Sequence, residues 1–97
     1  MHGRRPRAVH PGDRLRDELI ERGISLNRLS RDIRVSLSRV STIVNGKRTV
    51  TAETALRLAR YFGTSPQLWL NLQMAYDLEV AEKRVGKVIR REVNLAA

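Results

Sequence analysis

The chain has 97 residues, enough for one modest hydrophobic core, and its 19 Lys+Arg against 10 Asp+Glu leave a formal net charge of +9 that favours a polyanionic partner through counterion release. It has no cysteine, which excludes disulfide frameworks and thiolate metal sites, and its two histidines, His2 and His10, fall in the basic opening stretch. That stretch, MHGRRPRAVHPG, lacks the apolar core of a secretory signal, and no run of about 18 apolar residues occurs, so a cytoplasmic protein without membrane association is expected.

Residues 1–9 read as a flexible basic leader. In it Arg4, Arg5 and Arg7 form a solvated tail in the simpler reading, or an arm entering a DNA groove in the alternative. The remainder is cut by Gly, Pro and Ser/Thr caps into short segments without two-residue alternation, which predicts an all-α fold. The first helix follows Pro11-Gly12, places Asp13 in its first turn, carries Leu15, Leu19 and Ile20, and stops at Gly23. Ser25 caps a second helix with Leu29 and Ile33 on one face, ending near Arg34-Val35. Ser36 opens a third, striped by Val40, Ile43 and Val44, which closes at Asn45-Gly46.

Thr51 caps a fourth helix with a broad apolar face (Ala55, Leu58, Ala59, Phe62) that ends at Gly63. Ser65-Pro66 starts a fifth, because proline is pre-organised for the first helical position, and the helix should run toward Val80 or beyond. Trp69, Leu72 and Tyr76 are expected to pack it onto the scaffold, while Leu70, Met74 and Val80 widen the apolar surface enough to suggest a homodimer interface. In the tail, residues 83–97, Val85, Val88, Ile89 and Val93 keep helical spacing, but Gly86 interrupts it, so a separate short helix is expected there.

Two short helices joined by a tight turn within a strongly basic chain point to a helix-turn-helix whose second member enters the DNA major groove. With Val40, Ile43 and Val44 turned inward, Leu37, Ser38, Ser41 and Thr42, with Arg39 at the flank, can face base edges. A hydroxyl-rich exposed face is unusual on a helix with nothing to bind, since Ser and Thr are weaker helix formers than Ala, Glu or Lys. Asn45, Lys47 and Arg48 form an adjoining basic loop suited to clamping phosphates. Ser36 begins the reading helix, and Ser25, Asn27 and Arg28 can hold the second helix on neighbouring phosphates.

From His10 to Glu82 the sequence resembles HigA-type antitoxins of the lambda-repressor-like helix-turn-helix class. The resemblance rests on HPGD at His10 to Asp13, IVNGKR at Ile43 to Arg48, TAETALRLARYFGTS at Thr51 to Ser65 and WLNLQMAYDL at Trp69 to Leu78. It implies a five-helix DNA-binding domain over residues 10–82 with a C-terminal helical extension. It also implies a homodimer reading a palindromic operator in its own promoter, and a cognate RelE-like ribonuclease toxin held inactive by binding. DNA contacts carried over from the class fall on Ser36, Leu37, Ser38, Arg39, Thr42, Asn45, Lys47 and Arg48. Two positions depart from its pattern: Leu26, where many relatives have glutamine, and Arg34, where the turn often has glycine and an arginine must take a left-handed conformation or alter the turn. Such toxins tend to be basic, so a chain at +9 would have to rely on apolar burial, helped by acidic groups such as Asp17, Glu18 and Glu21.

Catalysis is not expected, because no carboxylate pair, glycine-rich phosphate loop or histidine-based site is evident, and no metal or cofactor is expected either. Two other rivals are a stand-alone repressor without a toxin and a protein-binding inhibitor that does not read DNA. The hydroxyl-rich helix and the Lys47-Arg48 loop argue against the second.

Overall fold

The computed structural model describes residues 8–96; His2 and the leader arginines Arg4, Arg5 and Arg7 lie outside the described residues. Five helices follow in order: α1 (Pro11–Arg22), α2 (Leu26–Ile33), α3 (Leu37–Val44), α4 (Ala52–Phe62) and α5 (Pro66–Glu92). The described residues contain no strand.

Each boundary has a local cause. Ser25, Ser36, Thr51 and Ser65 accept hydrogen bonds from the amides of Arg28, Arg39, Thr54 and Leu68, each satisfying a donor that its helix start would leave unpaired. Gly23 and Gly63 close α1 and α4 in the left-handed region, at φ 63° and 73°. The α2–α3 turn closes the same way without glycine: Arg34 takes φ 59° and ψ 47°, the left-handed one of the two conformations its sequence allows. Its turn is tied down by the Ser30 hydroxyl donating to the Val35 carbonyl at 2.6 Å and by Arg57 Nη1 donating to the Ile33 carbonyl at 2.9 Å.

Leu15, Leu29, Val40, Ile43, Leu58 and Trp69 are fully buried at the centre, one or more from every helix. Burying each such side chain contributes about 1.5–3 kcal/mol, so the five elements are held by shared packing rather than by propensity. The buried indole of Trp69 donates Nε1–H to the Thr64 hydroxyl at 2.9 Å, so its one polar atom is satisfied.

The fifth helix is longer than the sequence suggests. It runs unbroken for 27 residues, about 40 Å at 1.5 Å per residue, and passes straight through Gly86, so the separate short tail helix is corrected to a continuation of α5. A glycine costs only about 1 kcal/mol in a helix, and the Glu82 carboxylate, paired with Arg90 at 2.8 Å, bridges the turn on either side of it. Beyond Glu79, the polar side-chain contacts among the described residues (Lys83 with Glu79, Arg90 with Glu82) stay within the helix.

α5 also carries two apolar faces. At about 100° per residue, Trp69, Gln73, Tyr76 and Val80 lie on the side that meets the core. Met74, Leu78, Ala81, Val85 and Val88 lie on the opposite side, where Met74 is 57% and Leu78 64% exposed. The dimer candidates therefore divide: Met74 is exposed on the outward face, Leu70 is half-buried and packs against the core, and Val80, on the core side by its angle, is itself exposed.

Candidate nucleic-acid interface

α3 buries Val40, Ile43 and Val44, the stripe its sequence predicts. Turning them inward leaves Leu37, Ser38 and Arg39 exposed and Ser41 and Thr42 partly exposed. The hydroxyls are not equally available. Ser36 and Ser25 serve as caps for the Arg39 and Arg28 amides at 3.2 and 3.1 Å, and Thr42 donates back to the Ser38 and Arg39 carbonyls at 3.0 and 2.9 Å. Ser38 and Arg39 have no such engagement of their side chains among the described residues, which leaves them and the Leu37 side chain to meet an outside surface. Arg28 pairs with Asp32 at 3.4 Å, beside the exposed Asn27.

Below α3, Asn45 caps the helix and exposed Lys47 and Arg48 follow. From Ile33 to Ala52 the chain has no acidic residue and four basic ones, Arg34, Arg39, Lys47 and Arg48, so the reading helix and its loop carry positive potential with no internal counter-charge.

Three contacts that sequence reasoning missed fix this loop. Gln73, buried on α5, accepts the Val50 amide at 2.8 Å and donates to Asp77 at 2.9 Å, tying the end of the loop to the scaffold. Arg16 Nη2 donates to the Val44 carbonyl at 3.3 Å. Gly12 brings the start of α1 so close to the end of α3 that a Cβ there would lie 2.0 Å from the Ile43 carbonyl oxygen. The HPGD motif thus has a packing reason: only glycine permits this approach.

His10, read from the sequence as part of the basic opening stretch, is instead buried and structural. Its Nδ1 accepts the Gly12 amide at 2.8 Å, capping α1, and its ring packs edge-on to Tyr76 with centroids 4.8 Å apart. Burial lowers its pKa from the ordinary histidine value, against the opposing pull of Asp13 and Asp77. On the far side of α2, the Tyr61 hydroxyl donates to Asp32, a bond that lowers the carboxyl's pKa and raises the phenol's.

Of the acidic groups considered for a protein partner, Glu18 is buried between Arg14 and Arg22, at 3.3 and 3.0 Å. Asp17 and Glu21 are exposed and border a shallow groove with Ile20, itself 71% exposed. Among the described residues no group of His, Asp and Glu is arranged to hold a metal ion, and no helix is long and apolar enough to cross a membrane.

The sequence and the fold have known relatives. The profile of a helix-turn-helix family, HTH_3, matches residues 15–69, from the core leucine of α1 to the core tryptophan of α5. Virulence-associated protein I of Dichelobacter nodosus is 51% identical over 77 residues, covering 78% of this chain and 71% of that protein. Among solved structures, an addiction module antidote protein of the HigA family from Coxiella burnetii shares 47% identity and superposes with a TM-score of 0.89 over 94% of this chain and all of the other. The Pseudomonas aeruginosa antitoxin HigA, solved with the higBA promoter, shares 44% identity at a TM-score of 0.89 over the same proportions.

Proposed function

Because this chain belongs to the helix-turn-helix family and, within it, to the HigA-type antitoxins, we propose that it binds a palindromic operator in its own promoter as a homodimer, represses that operon, and neutralises a cognate RelE-like ribonuclease toxin by direct binding. The observation that carries the DNA part is the exposed α3 face of Leu37, Ser38 and Arg39, set beside the Lys47-Arg48 loop in a stretch without acidic residues. Arg39 reads a base or holds a phosphate at the edge of the groove, Ser38, Ser41 and Thr42 line it, and Leu37 meets a thymine methyl. Asn45, Lys47 and Arg48, with Ser25, Asn27, Arg28 and Ser36, hold the flanking phosphates. The Pseudomonas aeruginosa antitoxin HigA, solved with the higBA promoter, supports promoter binding as the reading for this chain.

The toxin part has weaker local support. The outer face of α1, where Asp17 and Glu21 flank exposed Ile20, is the acidic and apolar surface that suits a basic protein, while Glu18 is already engaged by two arginines. In this reading the protein is a cytoplasmic binding protein and not an enzyme.

Titration of the protein against its promoter fragment and a scrambled duplex of equal length, across a salt series, tests the DNA assignment. Preference for the promoter that persists as salt rises is the expected result. Equal binding erased by salt would mean charge without readout, and would favour a protein-binding inhibitor. Co-purification with the product of the neighbouring reading frame tests the toxin, and its absence would leave a stand-alone repressor.

A further inference from the structure

We propose that the outer face of α1 on one copy of the chain docks into the arginine-rimmed groove between α2 and α4 on another, a head-to-tail contact that couples dimers bound side by side on DNA. The inference rests on the operator-binding reading and adds a further surface to it.

The groove has an apolar floor of Ile33, Leu56 and Tyr61 and a rim of Arg34, Arg57 and Arg60. The chain's own fold leaves Leu56 59% exposed there. Asp32, the one carboxylate in the lining, is already engaged, because Tyr61 and Arg28 both donate to it. Arg57 is held by Glu53 and by the Ile33 carbonyl, whereas Arg34 and Arg60 are exposed and have no ion pair among the described residues. The complement of such a groove is an apolar side chain flanked by carboxylates.

The first helix presents one. Ile20 is 71% exposed, and Asp17, Ile20 and Glu21 stand at positions i, i+3 and i+4 of α1, which places them on one face. Neither Asp17 nor Glu21 has an ion pair among the described residues, since the neighbouring Arg14 and Arg22 are both turned onto buried Glu18. α1 packs on α3 and α5, while α2 and α4 pack on each other. All are fixed by the shared core, so the Ile20 knob cannot enter the groove of its own chain, and only a second copy brings the two together.

Because the two patches differ, the contact is heterologous and leaves a free knob and a free groove at its ends, so it extends from dimer to dimer. One side chain with two flanking ion pairs is far smaller than the roughly 1,200 Å² of a standard interface, and a charge of +9 per chain opposes it in free solution. DNA removes that opposition, since phosphates neutralise the charge and hold the copies close together. The same α1 face is the one set against a basic toxin, so a chain engaged with toxin there has no knob to offer its neighbour.

The test is binding to duplexes that carry the promoter operator once or twice, with the distance between the two scanned base pair by base pair over one helical turn of about 10–10.5 bp. At one phase the second dimer should bind about tenfold tighter than a dimer on a single operator, the gain from exposed ion pairs and one apolar side chain. Leu56→Ser should abolish that gain and leave single-operator affinity unchanged. Glu21→Arg should separate the two quantities, losing the gain while its added positive charge tightens single-operator binding. Arg60→Glu alone should also lose the gain and, combined with Glu21→Arg, should recover it. Independent binding at every spacing would overturn the contact, as would cooperativity that survives both Leu56→Ser and Glu21→Arg. Equal affinity for the single operator and a scrambled duplex would instead overturn the DNA reading on which the contact rests.

Discussion

Arg39 stands at the edge of the α3 reading face, exposed and without an ion pair among the described residues, so its five donors remain available to a guanine edge or a phosphate. Arg39→Ala is expected to cost about 1–3 kcal/mol on the operator and much less on random duplex if it reads a base. Equal loss on both duplexes in a binding titration would make it a phosphate contact. His10 gives a second prediction, in pH. Its buried Nδ1 acts as a cap only while unprotonated, and burial holds its folded-state pKa below the ordinary value of 6.5. The stability it contributes is therefore fully present above about pH 6.5 and is lost as pH falls through the folded-state pKa. Melting temperature should fall between pH 7.5 and pH 5. His10→Asn, which retains a capping acceptor, should lose much of that dependence, and an undiminished fall in the variant would assign the effect to another group.

At the scale of elements, the α2–α3 turn and the loop after α3 decide how the reading helix is presented. Arg34 holds a left-handed conformation that costs an L-residue about 1–2 kcal/mol. Glycine would escape that cost but lose more conformational freedom on folding, so Arg34→Gly should raise unfolding stability by about 0.5–1 kcal/mol in urea. Gln73→Leu should have the opposite effect, since it leaves the Val50 amide buried without its acceptor. A loss of about 1–3 kcal/mol is expected, with faster hydrogen exchange at Val50 as the local signature. Much of this level was legible in the sequence: Ser25, Ser36, Thr51 and Ser65 cap their helices by local chemistry, and Gly23 and Gly63 end two of them. His10, Gly12 and Gln73 were not legible, because what each does depends on an atom far along the chain or on burial that no local pattern reveals. Gly86 misled for a related reason: propensity records its local cost and not the Glu82–Arg90 bridge that spans it.

The whole molecule is more extended than its length requires. Its radius of gyration is 16.4 Å and its longest dimension 52 Å, against a radius of about 12–13 Å for a compact domain of this size, and the excess lies in the overhang of α5. The formal charge of +9 was readable at once as an affinity for polyanions, while the direction in which α5 turns its second apolar face required the fold. Charge and symmetry combine in one further measurement. In a dimer each phosphate contact is made twice, by symmetry-related copies of the same side chain on two phosphates, one in each half-site, so Lys47→Ala should reduce the slope of log K against log salt by about 2, roughly 0.9 for each phosphate left without its lysine. A change near 1 would mean that only one copy engages DNA through this loop.

The overhang also bears on how long the protein survives. A helical stretch of about a dozen residues is marginally stable in water without tertiary support, and among the described residues α5 from Val80 to Glu92 makes its polar side-chain contacts only along itself. In dilute solution that stretch should fray and be cleaved first in limited proteolysis, whereas association should shield it. Turnover would then depend on concentration: scarce chains are degraded and abundant ones persist, giving the cell a threshold set by the length of one helix.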